Sequence, residues 1–62
     1  MNQQYYHASV TFTHFDFVIT TNAIVCEQPT EECAVQLAKS LLNDNSVPKW
    51  MYDTHRINVE WL

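Results

Sequence analysis

Residues 5–26 read YYHASVTFTHFDFVITTNAIVC, and the reading of this stretch decides the fold. From Tyr5 to Phe12 the residues alternate, with Tyr6, Ala8, Val10 and Phe12 apolar against His7, Ser9 and Thr11. A period of two places one set on each face of an extended chain, which is the mark of a half-buried strand. Beyond Phe12 the apolar phase moves to odd positions, at Phe15, Phe17, Ile19, Ala23 and Val25. Two arrangements produce that jump. A tight turn within Thr13 to Asp16 reverses the chain into a long second strand, or a bulge shifts the register and the reversal falls at Thr20-Thr21-Asn22. The first is favoured, because the β-rich run Phe17 to Cys26 then pairs along its whole length with the first strand. Either way the segment is an antiparallel hairpin.

Moving outward from the hairpin, Pro29-Thr30-Glu31-Glu32 opens a helix. Thr30 supplies a capping hydroxyl, and the two glutamates sit where the helix dipole favours negative charge. Ala34, Leu37, Ala38, Leu41 and Leu42 then recur at three- and four-residue spacing, predicting a helix over 31–43 that stops at Asn43-Asp44-Asn45. Arg56 to Leu62 alternates again, with Ile57, Val59 and Trp61 facing one way, so a third strand closes the segment. The expected fold class is α+β, a three-stranded antiparallel-type sheet in the chain order strand-strand-helix-strand with one helix packed on one face. That helix is expected to cover the rows Tyr6/Val10/Phe12, Phe15/Phe17/Ile19 and Ile57/Val59/Trp61. The other face of strand two carries Val18, Ile24 and Cys26, which marks Val18 and Ile24 as a candidate sheet-face interface. A homodimer joined by sheet faces or strand edges is one way to cover it, and a larger protein partner is another.

Composition bounds the function. Sixty-two residues are expected to form one small domain, 1–62, and a chain of this length buries only about 60% of the surface it exposes when unfolded. An apolar fraction of 47% with 13% aromatics gives it enough to bury to escape disorder. Only Lys39, Lys49 and Arg56 are basic against seven acids, for a net charge of −4, so nucleic acid is not an expected partner. The acids are dispersed along the chain rather than packed as duplex mimicry requires. No apolar run approaches the roughly 20 residues that span a bilayer, and Met1-Asn2-Gln3-Gln4 lacks the charge and apolar stretch of a signal peptide. The expectation is a cytoplasmic protein with no membrane partner.

Chemistry-bearing residues are sparse. Cys26 and Cys33 are too few for a disulfide scaffold, and their C-x6-C spacing matches no common zinc-ligand pattern. They are read as small packing residues, with no metal and no cofactor expected. His14-Phe15-Asp16 puts an imidazole and a carboxylate on one side of an extended segment, but at a hairpin tip these read as water-exposed turn residues. A core this small hardly encloses a catalytic pocket, so no catalytic residue is assigned and no enzyme is expected.

The stretch NDNSVPKWMYDT, residues 43–54, is longer than an ordinary helix-to-strand connection and rich in large side chains. Trp and Tyr are enriched at binding hot spots and Met adapts to irregular surfaces, so Lys49, Trp50, Met51 and Tyr52 are the candidate protein-binding residues. The competing reading has Trp50 and Val47 folding back to close the end of the core. In size, acidity and element order the chain resembles small accessory proteins of bacteria or their viruses, a likeness that carries over no residue's role. The expected function is therefore non-enzymatic binding of another protein, as inhibitor, adaptor or antitoxin-like neutraliser. A self-assembling structural subunit, an acidic nucleic-acid mimic and a Cys/His metal-binding module are the alternatives.

Overall fold

The computed structural model describes residues 4–53 and 56–62. The leader reading at Met1 to Gln3, Thr54 at the end of the connecting stretch, and His55 lie outside the described residues. The chain runs β1 (Tyr6–His14), β2 (Phe17–Val25), α1 (Glu31–Asp44), α2 (Lys49–Tyr52) and β3 (Arg56–Trp61). It is an α+β fold: a three-stranded antiparallel sheet in the order β2-β1-β3, with α1 packed on one face.

The reversal falls at Phe15-Asp16, within the first of the two expected positions. His14 lies opposite Phe17, Phe12 opposite Ile19 and Tyr6 opposite Val25, so β2 pairs with β1 along its full length. β3 pairs on the other side, Val10 opposite Val59 and Ala8 opposite Trp61, which leaves β1 central. The even row of β1 accordingly forms the floor of the core, with Ala8, Val10 and Phe12 fully buried.

Thr30 caps α1 as its sequence implied, its Oγ1 accepting from the Cys33 N–H at 3.2 Å. The buried stripe is Ala34, Ala38 and Leu42, against Ala23 and Val25 of β2 and the β1 row. The helix ends in a Schellman motif. Ser46 N–H donates to Asn43 O (3.0 Å) and Val47 N–H to Leu42 O (2.9 Å), with Ser46 held at φ 62°. Glycine ordinarily fills that left-handed position. Val47 then packs on the core, and Pro48 turns the chain into the single turn of α2, so residues 43–53 are more ordered than a long loop.

Several expected core residues lie outside the core, for geometric reasons. β2 has nine residues, about 30 Å at 3.3 Å each, whereas the fourteen residues of α1 reach only about 21 Å. The hairpin end of the sheet therefore overhangs the helix. Phe15 falls in the turn itself and is 72% exposed, and Phe17, though on the helix side, is 51% exposed. The β3 row is also incompletely covered, because the helix sits over β1 and β2: Ile57 and Trp61 stay partly open and only Val59 packs on the core. Cys26 and Cys33 are free and exposed rather than packed.

Candidate functional site

At the overhanging end the structure gathers an aromatic tip. β1 delivers His14, the turn delivers Phe15, β2 starts with Phe17, and α2 brings Trp50 over from the far side of the sequence. The Trp50 ring meets Phe17 edge-on at 5.4 Å and His14 at 5.8 Å, and His14 meets Phe15 at 4.9 Å with the rings nearly perpendicular. Edge-to-face pairs of this kind satisfy the aromatic quadrupoles and hold the rings in a fixed cluster. Trp50 is half exposed, so one side of it rests on the hairpin while the other faces water.

The backbone under this tip is strained. Phe15 has φ 54°, in the left-handed region, where a bulky side chain is an outlier. Of the two turn residues only Phe15 has a positive φ, the sign pattern of a type II′ turn, whose first central position normally takes glycine. With no glycine in the chain, a phenylalanine occupies it, its ring edge-on to His14 and largely exposed. Neither strain nor exposure of an aromatic helps folding, and both fall on one residue.

The four residues singled out in the connecting stretch separate on α2. Trp50 joins the tip and Lys49 is exposed beside it, while Met51 is half buried. Tyr52 turns inward and is buried, its ring 6.3 Å from Phe12 and its hydroxyl 3.5 Å from Asn43 Oδ1. Tyr52 is thus a core residue that anchors α2. A single helical turn has one side toward the sheet, and Tyr52 takes it. Phe15 and Phe17 were missed as surface residues because their odd-numbered phase matched that of the core row. An aromatic at the first position of a two-residue turn was the one available signal.

Val18 and Ile24, the sheet-face candidates, are 65% and 54% exposed. They lie on one face but with Thr20 and Asn22 between them, about 20 Å apart along the strand. Their neighbours across the ladder are Thr13 and His7, and Thr11 Oγ1 lies 3.2 Å from Thr20 Oγ1 between them. The face is mainly polar, and the two aliphatics do not merge into one patch within a single copy.

Two shallow grooves lie elsewhere. One, at the opposite end of the sheet, is lined by Tyr5, Tyr6, His7, Pro29, Trp61 and Leu62. The other runs between β2 and α1 and includes Ile24, Cys26, Cys33 and Leu37. Among the described residues no group of three or more His, Cys, Asp or Glu side chains is placed to hold a metal ion. Among the same residues no helix is long and apolar enough to cross a membrane.

Comparison with protein-family models, with curated proteins and with solved structures finds no match to this chain. What the fold and the tip define is a class: a small α+β domain that carries a fixed, solvent-facing aromatic cluster at one end of its sheet.

Proposed function

We propose that the protein is a non-enzymatic domain that works by binding another protein, in the manner of an inhibitor, adaptor or neutraliser, and that the aromatic tip is its contact. The observation that carries this reading is Phe15: a 72% exposed ring on a backbone with φ 54°. Strain of this kind costs on the order of 1–3 kcal/mol and persists where surrounding structure imposes it, often at ligand clamps and switch regions. A ring this exposed contributes little to a monomer beyond its edge contact with His14, whereas Trp and Tyr seated in a partner's pocket are enriched among the residues that dominate binding energy. The rings of Phe15, Phe17 and Trp50 are braced through His14 and each other, so little ordering entropy remains to be lost on docking. The two free thiols accord with a reducing compartment, and we place the protein's action in the cytoplasm.

The test uses affinity capture from host lysate at physiological salt, followed by calorimetry with the purified partner. Phe15→Ser and Trp50→Ala are expected to weaken binding by roughly 30-fold or more each, the scale of a hot spot near 2 kcal/mol. Glu60→Gln, exposed on β3 opposite Ser9 and away from both the tip and β2, serves as control and is expected to bind like wild type. A partner that holds all three variants equally would remove the tip from the interface, and absence of any partner would remove the reading itself.

A further inference from the structure

Among the described residues the β2 flank of the sheet is open, and the hydrogen bonding of its neighbours shows how. Leu62 N–H donates to His7 O at 2.9 Å, so odd-numbered residues of β1 direct their backbone groups toward β3. Alternate residues of an antiparallel strand bond to opposite sides. Even-numbered residues of β1 therefore bond to β2 through their register partners Ile19, Thr21, Ala23 and Val25. On β2 it follows that Val18, Thr20, Asn22 and Ile24 turn their N–H and C=O groups away from the sheet.

Natural edge strands are blunted by charges, prolines, bulges or shortness. β2 has none of these: nine residues, no charge, no proline and an unbroken register. The other edge, β3, is shorter and carries Arg56 and Glu60.

We infer that β2 pairs antiparallel with β2 of a second copy about a two-fold axis through Thr21, joining two sheets into one of six strands. The outward-facing residues are placed symmetrically about Thr21. Val18 falls opposite Ile24 of the second copy, Thr20 opposite its Asn22, and each outward donor meets an acceptor. Because an interface of this symmetry is self-complementary, the pairing occurs twice. The two aliphatics that stand about 20 Å apart within one copy become direct neighbours between copies. On the helix side Phe17 falls opposite Val25 of the second copy and Ile19 opposite its Ala23. Both α1 helices then lie on the same face of the joined sheet. Leu37 and Leu41, each 39% exposed, supply apolar surface there, Leu37 lining the groove beside the end of β2.

The flank is large enough for the lower end of specific interfaces, which bury about 1,000 Å² over both partners. A standard interface removes roughly 800 Å² from each partner, about a sixth of this chain's 4710 Å². With β2 about 30 Å long and the molecule 15 to 21 Å across its shorter axes, the flank presents about 500 Å² in projection, and more as accessible surface.

Sedimentation equilibrium across a dilution series tests the pairing and its register. Wild type is expected to show twice the 7.3 kDa mass of one chain at the higher concentrations. Val18→Glu with Ile24→Glu sets like charges opposite one another twice, and Val18→Lys with Ile24→Lys does the same with the other sign. Each double variant is expected to raise the dissociation constant at least about tenfold, and an equimolar mixture of the two to restore the dimer. Circular dichroism of each double variant checks that the chain stays folded, as expected for positions more than half exposed in one copy. Hydrogen exchange on wild type is the independent measurement: the amides of Val18, Thr20, Asn22 and Ile24 gain protection as concentration rises. A wild type that stays monomeric, a dimer indifferent to both double variants, or a mixture that fails to recover would overturn the pairing. Concentration-dependent protection confined to β3, or filaments grown by joining β2 to β3, would do so equally. Phe17 belongs both to the tip and to the paired strand, but the tip is tested at Phe15 and Trp50, which lie off β2, so failure of the pairing and failure of the tip are read separately.

Discussion

The strain at Phe15 predicts an inversion in the usual order of glycine and alanine. Phe15→Gly and Phe15→Ala both remove the ring, so both lose its edge contact with His14 at 4.9 Å and the small area that a 72% exposed side chain buries. These losses cancel between the two variants, and the backbone remains. A residue with a Cβ in the left-handed region costs about 1–2 kcal/mol that glycine avoids. Glycine's greater freedom in the unfolded chain offsets about 0.4–1 kcal/mol of that. The Phe15→Gly variant should thus exceed Phe15→Ala by about 0.5–1 kcal/mol, about 4–8 °C in Tm for a chain of this length. At an ordinary strand or helix position the sign is opposite, glycine being the weaker by about 0.5–1 kcal/mol. Thermal unfolding by circular dichroism, with urea midpoints compared at equal m-value, reads the difference. If Phe15→Gly melts at or below Phe15→Ala, the turn is unstrained and the argument that Phe15 is kept for contact loses its footing. If the inversion holds, Phe15→Gly should also bind the partner poorly despite its firmer backbone, a separation of stability from function.

Other substitutions probe the remaining devices. Tyr52→Ala should cost about 3–5 kcal/mol, a large share of what a domain this small possesses, and leave the chain largely unfolded in urea titrations. Tyr52→Phe should cost under about 1 kcal/mol, since it removes only a hydroxyl contact at 3.5 Å to Asn43; an equally severe loss would make that contact the anchor of α2. Ser46→Gly should stabilise by about 0.5–1 kcal/mol by relieving φ 62° at the end of α1, and no gain in urea midpoint would count against the strain assigned there.

Both strands of the hairpin, the long helix and the last strand were legible from local pattern because their causes are local; the single turn α2, read as part of a long connection, was not. Alternation over Tyr6 to Phe12 requires no tertiary information to mark one buried face, and β1 buries that row. Thr30 followed by two glutamates fixes the start of α1 through hydrogen bonds and charge within one turn. The apolar phase shift between Phe12 and Phe15 dictated a reversal, and the turn came where full-length pairing of the two strands required it. Even the α+β arrangement follows, since a hairpin, an amphipathic helix and a third alternating strand bury their apolar faces together most simply as two layers.

What the pattern did not contain was reach. Phe15 and Phe17 share the odd phase of Ile19, yet α1 is about 9 Å shorter than β2, so phase promised burial that the helix is too short to give. The same limit leaves Ile57 and Trp61 partly open, because α1 spans only two of the three strands. Within KWMY, composition alone does not separate Tyr52, which enters the core against Phe12, from Trp50, which settles on the hairpin. That division depends on the turn at Ser46 and Pro48, which sets the angle at which α2 meets the sheet. The sequence by itself therefore determined which segments fold and which faces are apolar, since both depend on neighbours a few residues apart. The aromatic tip and the open β2 flank were decided by the tertiary structure, because each depends on lengths and angles between elements that no local period records.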